Sequence, residues 1–119
     1  MVDYLNGKNP DSREIVENII TPVAGSAVLD MNDWPYQSIT LTENTTISVT
    51  PTAGWSGSSR LKVTQWWTGS YTLTISTSVT WTDDTAPTLW TNVWDDTFIY
   101  FDYDSNNTEL HGWGVNFTT

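Results

Sequence analysis

The sequence predicts an all-β domain, an antiparallel sandwich or barrel of about eight short strands preceded by an N-terminal arm with one short helix. Three observations lead there. The 119 residues include 21 threonines and 8 tryptophans, residue types that suit a pleated, half-buried surface. From Ser38 onward, apolar and polar residues alternate with period two, as they do on strands with one face inward. Clusters of Gly, Pro, Asn, Asp and Ser interrupt that alternation at short intervals, as turns do.

Residues 1–38 form the expected arm. They hold Pro10, Pro22 and Pro35, a small-residue run from Ala24 to Ala27, and no sustained alternation. A short helix is predicted from Ser12 to Ile20. Asp11 serves as N-cap and Glu14 as its capping-box partner, Ile15 and Ile19 share one face, and Pro22 ends it. Two turns of helix do not stand alone, so the segment should dock, either as a lid on its own domain or on a neighbouring subunit.

The β-domain is expected over 39–119. Ile39 and Leu41 alternate with Thr40 and Thr42, Glu43-Asn44 reads as a tight turn, and Ile47 and Val49 continue the alternation, which predicts a hairpin. Pro51 to Ser59 is a Gly/Ser-rich loop carrying Trp55. Leu61, Val63 and Gln65, then Tyr71, Leu73 and Ile75, flank the turn Thr68-Gly69-Ser70 and predict a second hairpin. Val79 and Trp81 make a short strand closing at Asp83-Asp84, and Pro87 confines the following extended segment to an edge or a bulge. Thr97 to Tyr103 lacks clean alternation at Phe98-Ile99-Tyr100-Phe101, as expected where both faces are covered. A turn at Asp104–Asn107 leads to a last strand from Leu110 to Phe117.

Charge and composition narrow the function. Fourteen acidic residues against four basic ones give a net charge of −10. Lys8, Arg13, Arg60 and Lys62 do not form the cationic cluster that nucleic acid or an anionic membrane surface requires. The absence of cysteine excludes disulfides, zinc–thiolate sites and thiol catalysis. His111 is the sole histidine, which leaves little basis for a His-based metal cluster or a triad. The polar first residues lack the basic start and apolar stretch of a cleaved signal, and no apolar run reaches transmembrane length.

Two acidic patterns invite chemistry. Asp102-x-Asp104-x-Asn106 matches the start of an EF-hand loop, with Asp95, Asp96 and Glu109 nearby. The sixth position is Asn107 instead of glycine, however, and no glutamate stands at the twelfth. Paired carboxylates also serve glycoside hydrolysis, but a domain this small seldom builds the necessary cleft and no nucleophile motif is present. Neither a metal, a cofactor nor an enzymatic activity is therefore expected.

The tryptophans are the better lead. Trp81 is in phase with Val79 and reads as core. Trp34, Trp55, Trp66, Trp90 and Trp94, together with Ile15 and Ile19 of the arm, are the candidate contact residues for a neighbouring subunit or partner. Trp66 is opposite in phase to Leu61 and Val63, and Trp55 sits in a loop. A set of exposed indoles could alternatively stack on sugar rings, with Trp55, Trp90 or Trp94 as the platform.

The pieces ITLTENTTISVTP, LKVTQ, YTLTISTSVTW and TAPTLWT, followed by an apolar strand and G-W-G, span Ile39 to Trp113. This string resembles a β-domain that recurs in virion proteins of tailed bacteriophages, among them tail-fibre, appendage and head-decoration proteins. Leu61, Val63 and Gln65, then Val79 and Trp81, then Thr85 to Leu89 occupy the family's motif positions. Where the family often has small residues this chain has Trp66, Trp67, Trp90 and Trp94, and its last hairpin, ending in ELHGWG, is longer.

The resemblance implies a structural virion protein. A single acidic β-domain with an arm fits a capsid-decorating cement protein on the outer surface of the shell. Its partner would be the major capsid protein or another virion protein, and a homotrimer is the expected assembly. A tail, fibre or appendage component and a glycan-binding module for host attachment are the alternatives.

Overall fold

The computed structural model describes residues 18–66, 69–89, 91–93 and 95–117. Among them the chain forms nine strands: β1 (Asn18–Ile20), β2 (Ser26–Asp30), β3 (Tyr36–Leu41), β4 (Thr45–Thr50), β5 (Gly57–Gln65), β6 (Leu73–Ile75), β7 (Thr80–Trp81), β8 (Asp96–Asp104) and β9 (Glu109–Phe117). A 3₁₀ turn at Thr82–Asp84 follows β7 at the position where the sequence closes that strand. The all-β expectation holds.

The strands do not pair as their order suggests. A six-stranded sheet runs β1-β3-β5-β8-β9-β7 and a three-stranded sheet runs β2-β4-β6. From β1 to β6, each strand lies in the opposite sheet from the one before it and pairs in parallel with the strand two positions away. The chain therefore winds as stacked coils, each a strand of one sheet, an arch and a strand of the other. Only β5 with β8 and β8 with β9 pair antiparallel, and this long hairpin seals the end of the stack.

This corrects the antiparallel reading and both predicted hairpins. Thr42–Asn44 does not reverse β3 onto β4 but arches to the other sheet, and β5 and β6 likewise lie in different sheets. Period-two alternation specifies which side chains face inward and does not say which strand is the hydrogen-bonded neighbour. The arm is revised too. Its described part, residues 18–38, contributes β1, β2 and the start of β3, with Ile20, Leu29 and Met31 buried in the core. Most of the predicted helix lies outside the described residues, and its last three, Asn18–Ile20, are strand β1.

Parallel stacking lines up like residues. Ile20, Ile39 and Val63 stand in one row across the larger sheet, and Ala27, Ile47 and Ile75 in the facing row of the smaller one. Leu29, Leu41, Leu61, Ile99 and Phe101 fill the space between and are essentially inaccessible. Trp81 packs at the core margin with its ring 6.2 Å from that of Phe101, as its phase predicts.

Arches leave backbone groups outside the ladders, and two buried glutamines together with exposed polar side chains take them up. Gln37 donates through Nε2 to the carbonyls of Asp30 (2.8 Å) and Trp34 (3.1 Å), bracing the arch before β3. Gln65 clamps Tyr71 at both ends, Nε2 donating to its carbonyl at 2.9 Å and Oε1 accepting from its amide at 3.1 Å. Asn32 ties two neighbouring arches, accepting from the Ala53 amide and donating to the Pro51 carbonyl. At the other end Asn44 Oδ1 accepts from the Thr72 amide at 2.9 Å, and Glu43 accepts from the Gly25 amide.

Gln65→Leu keeps the bulk of the side chain but strips the Tyr71 amide and carbonyl of their partners. It is expected to cost about 1–3 kcal/mol in urea unfolding with an unchanged m-value. Thr72→Ala, one residue on and exposed, is expected to stay within about 0.5 kcal/mol of the parent.

Candidate interaction face

The six-stranded sheet has its inner face on the core, and among the described residues no second sheet lies on its outer face. Two rows of side chains cross that outer face through the strand register. Tyr36, Arg60, Tyr100 and Trp113 are aligned across β3, β5, β8 and β9. Beside them run Ile19, Ser38, Lys62, Phe98 and Val115, from β1 to β9. Strands about 4.8 Å apart bring the members of each row into contact distance.

The rows are held by ring contacts. The Arg60 guanidinium carbon lies 4.5 Å from the Tyr36 ring centre and 4.9 Å from that of Phe98, so one cation is shared between two π faces. Tyr100 and Trp113 stack with centroids 5.5 Å apart and planes 10° apart. Near-parallel rings on adjacent strands stand up from the sheet, each giving one face to the other. Ile19 at one end is 74% exposed and Trp113 and Val115 at the other are 42% and 40% exposed, so the strip is apolar at its ends and carries Arg60 and Lys62 in its middle.

Polar rows border the strip. On one side the Thr64 hydroxyl donates to Asp96 at 2.7 Å; on the other the Ser58 hydroxyl donates to Asp102 at 2.9 Å. Arg60 and Lys62 are the two Lys/Arg side chains among the described residues, and both lie here. An apolar, aromatic centre carrying arginine and edged by polar groups is the anatomy of a protein interface.

The acidic motifs are occupied by structural hydrogen bonds. Asp104 caps the β8–β9 turn, accepting from the Asn106 amide at 3.0 Å and the Asn107 side chain at 2.9 Å. Among the described residues no three acidic or imidazole groups converge as metal ligands. Ser58, Asp102 and His111 share a row, but the carboxylate stands between the other two and the imidazole pairs with Glu109 at 3.1 Å. That order puts the carboxylate, not the imidazole, on the serine hydroxyl, which is not the arrangement of a Ser-His-Asp triad.

The residues that composition nominated are not gathered into one site. Ile19 lies in the apolar strip. Trp34 and Trp55, 43% and 54% exposed, sit in the arches preceding β3 and β5 at one end of the coils, while Trp66 follows β5 at the other. Ile15, Trp90 and Trp94 lie outside the described residues. Sequence reasoning missed Tyr36, Phe98, Tyr100, Trp113 and Val115. Two signals were present: the unalternated Phe98–Phe101 run, and Trp113 and Val115 out of phase with Leu110 and Gly112. Phe98 and Tyr100 are half-buried, with the Arg60 guanidinium against the Phe98 ring and Trp113 stacked on Tyr100.

Comparison of the chain with protein-family models, with curated proteins and with solved structures finds no match in any of the three.

A double-mutant cycle on Tyr100→Ala and Trp113→Ala is expected to return a coupling of about 0.5–1.5 kcal/mol in urea unfolding. The pair Trp34→Ala and Trp113→Ala, which shares no contact, should be additive.

Proposed function

We propose that the chain is a structural protein of a tailed-phage particle, a cement protein that decorates the capsid exterior and stabilises the shell. It would bind by laying the outer face of its six-stranded sheet on the major capsid protein or on another virion protein. The observation that carries this reading is the row of Tyr36, Arg60, Tyr100 and Trp113 on the outer face of the larger sheet, with the Arg60 guanidinium against the Tyr36 and Phe98 rings. Tyr, Trp, Phe and Arg are the residues that dominate binding energy at the centres of interfaces. The resemblance of Ile39 to Trp113 to the recurring virion domain supplies the setting.

Charge supports the outside of a shell. A chain of net charge −10 would be repelled by a packaged genome, whereas it is compatible with a surface facing water. The homotrimer remains the assembly proposed, with the arch tryptophans Trp34 and Trp55 and, at the other end of the coils, Trp66 as its contacts. A tail, fibre or appendage role would use the same surface and differ in abundance.

Quantitative mass spectrometry of purified virions distinguishes these: abundance like that of the major capsid protein is expected, and abundance like that of a tail protein would move the chain to the tail. Tyr36→Ala combined with Arg60→Glu is expected to abolish binding to shells lacking the protein, while Val28→Ala, exposed on the smaller sheet, binds as the parent. Full occupancy by the double variant, once its far-UV spectrum matches the parent, would rule out this face.

A further inference from the structure

Trp113 has a second neighbour besides Tyr100. A cavity of about 410 Å³ opens at the margin of the sheet, lined by Trp113, Gly114, Thr82, Thr85 and Pro87. We infer that this cavity is a sugar subsite that takes one neutral hexopyranose unit. Its size falls within the range of about 300–1,000 Å³ typical of small-ligand pockets.

The lining has the chemistry of a pyranose. One side of a hexopyranose is a patch of C–H groups, which packs on an aromatic surface; its rim is hydroxyls, which need donors and acceptors. Trp113 and Pro87 supply the apolar surface. Thr82 and Thr85 supply hydroxyls, and that of Thr82 donates to the Gly112 carbonyl at 3.5 Å, a long bond that leaves its lone pairs as acceptors. Among the described residues no charged side chain lines it, which disfavours a carboxylate, an amine or a phosphate. A nucleotide would also stack on indole, but its phosphates would meet a chain of net charge −10.

The cavity is built and not incidental. A Cβ on Gly114 would fall 2.3 Å from Cβ of Pro87, and one on Gly112 would fall 2.6 Å from the Trp81 ring. Glycine at these two positions of β9 lets the segment from Trp81 to Pro87 press against the strand and fix one wall. Stacking on Tyr100 fixes the indole, so two walls are set before any ligand arrives.

This inference does not rest on the capsid reading, because binding is measured on the isolated protein. Amide and indole NMR spectra are recorded at rising concentrations of methyl β-D-glucopyranoside, methyl β-D-galactopyranoside and N-acetylglucosamine. At least one is expected to shift the Trp113 indole N–H and the amides of Thr82 and Gly114 together, saturably, with a dissociation constant on the order of 1 mM. Trp113→Ala is expected to weaken binding at least about tenfold and Thr82→Val, which leaves the ring stack intact, several-fold, while Trp55→Ala has no effect. The β1,4-linked tetrasaccharide of the sugar bound identifies the source: tighter binding points to an internal glycan unit, equal binding to a free or terminal sugar. No coordinated shift with any of the three sugars, or binding unchanged in both Trp113→Ala and Thr82→Val, overturns the proposal.

Discussion

The structure depends on one constraint: the hydrogen bonds of β1 to β6 run between coils, so every arch must satisfy its own backbone groups. In a hairpin the turn is closed by the ladder it creates. An arch has no such ladder, and an unpaired buried amide costs about 1–3 kcal/mol. Gln37 and Gln65, each 1% exposed, turn inward from strand positions and do that work. Asn32 and Asn44 extend it from one arch to the next, so a coil that stacks correctly also fixes its neighbours. A glutamine at a core-phased position is otherwise a poor core residue; here its two-ended amide is what the site needs.

Coils that stack in parallel end in an open edge, and β8 and β9 close it on one side. These are the long antiparallel strands of the molecule, and they carry its outward aromatics to the centre of the larger sheet. Their inner residues, Ile99 and Phe101, complete the core that the coils began. The interaction face is thus a consequence of capping: the same two strands that finish the core leave Phe98, Tyr100, Trp113 and Val115 facing out.

Alternation revealed the core with high fidelity and the topology poorly, for a physical reason. Ile39, Leu41, Ile47, Val49, Leu61, Val63 and Gln65 were all read as one phase and are all buried. A strand facing another across a core shows the same phase whether it is joined to its sequence neighbour by a hairpin or by an arch. A regular solenoid would have betrayed itself by a repeat, but the arches here differ in length and erase any fixed period. The interaction face was illegible because one of its rows draws Tyr36, Arg60, Tyr100 and Trp113 from four strands distant in sequence. Tryptophan counting instead favoured arch residues, which are exposed but scattered.

The placement of charge gives the face its direction. An excess of ten negative charges opposes association between copies at most orientations. Arg60 and Lys62 stand where that repulsion is locally weakest, in the middle of the apolar strip. Arg60 is partly shielded between two rings, so its guanidinium gives up less hydration on contact than a bare surface cation would. On the proposed reading, acidity elsewhere and cation–aromatic pairing here would act together as attraction at one face and exclusion at the others, favouring one docked orientation over many. A polar, uniformly acidic sheet face would keep the chain soluble but would give a partner nothing to select.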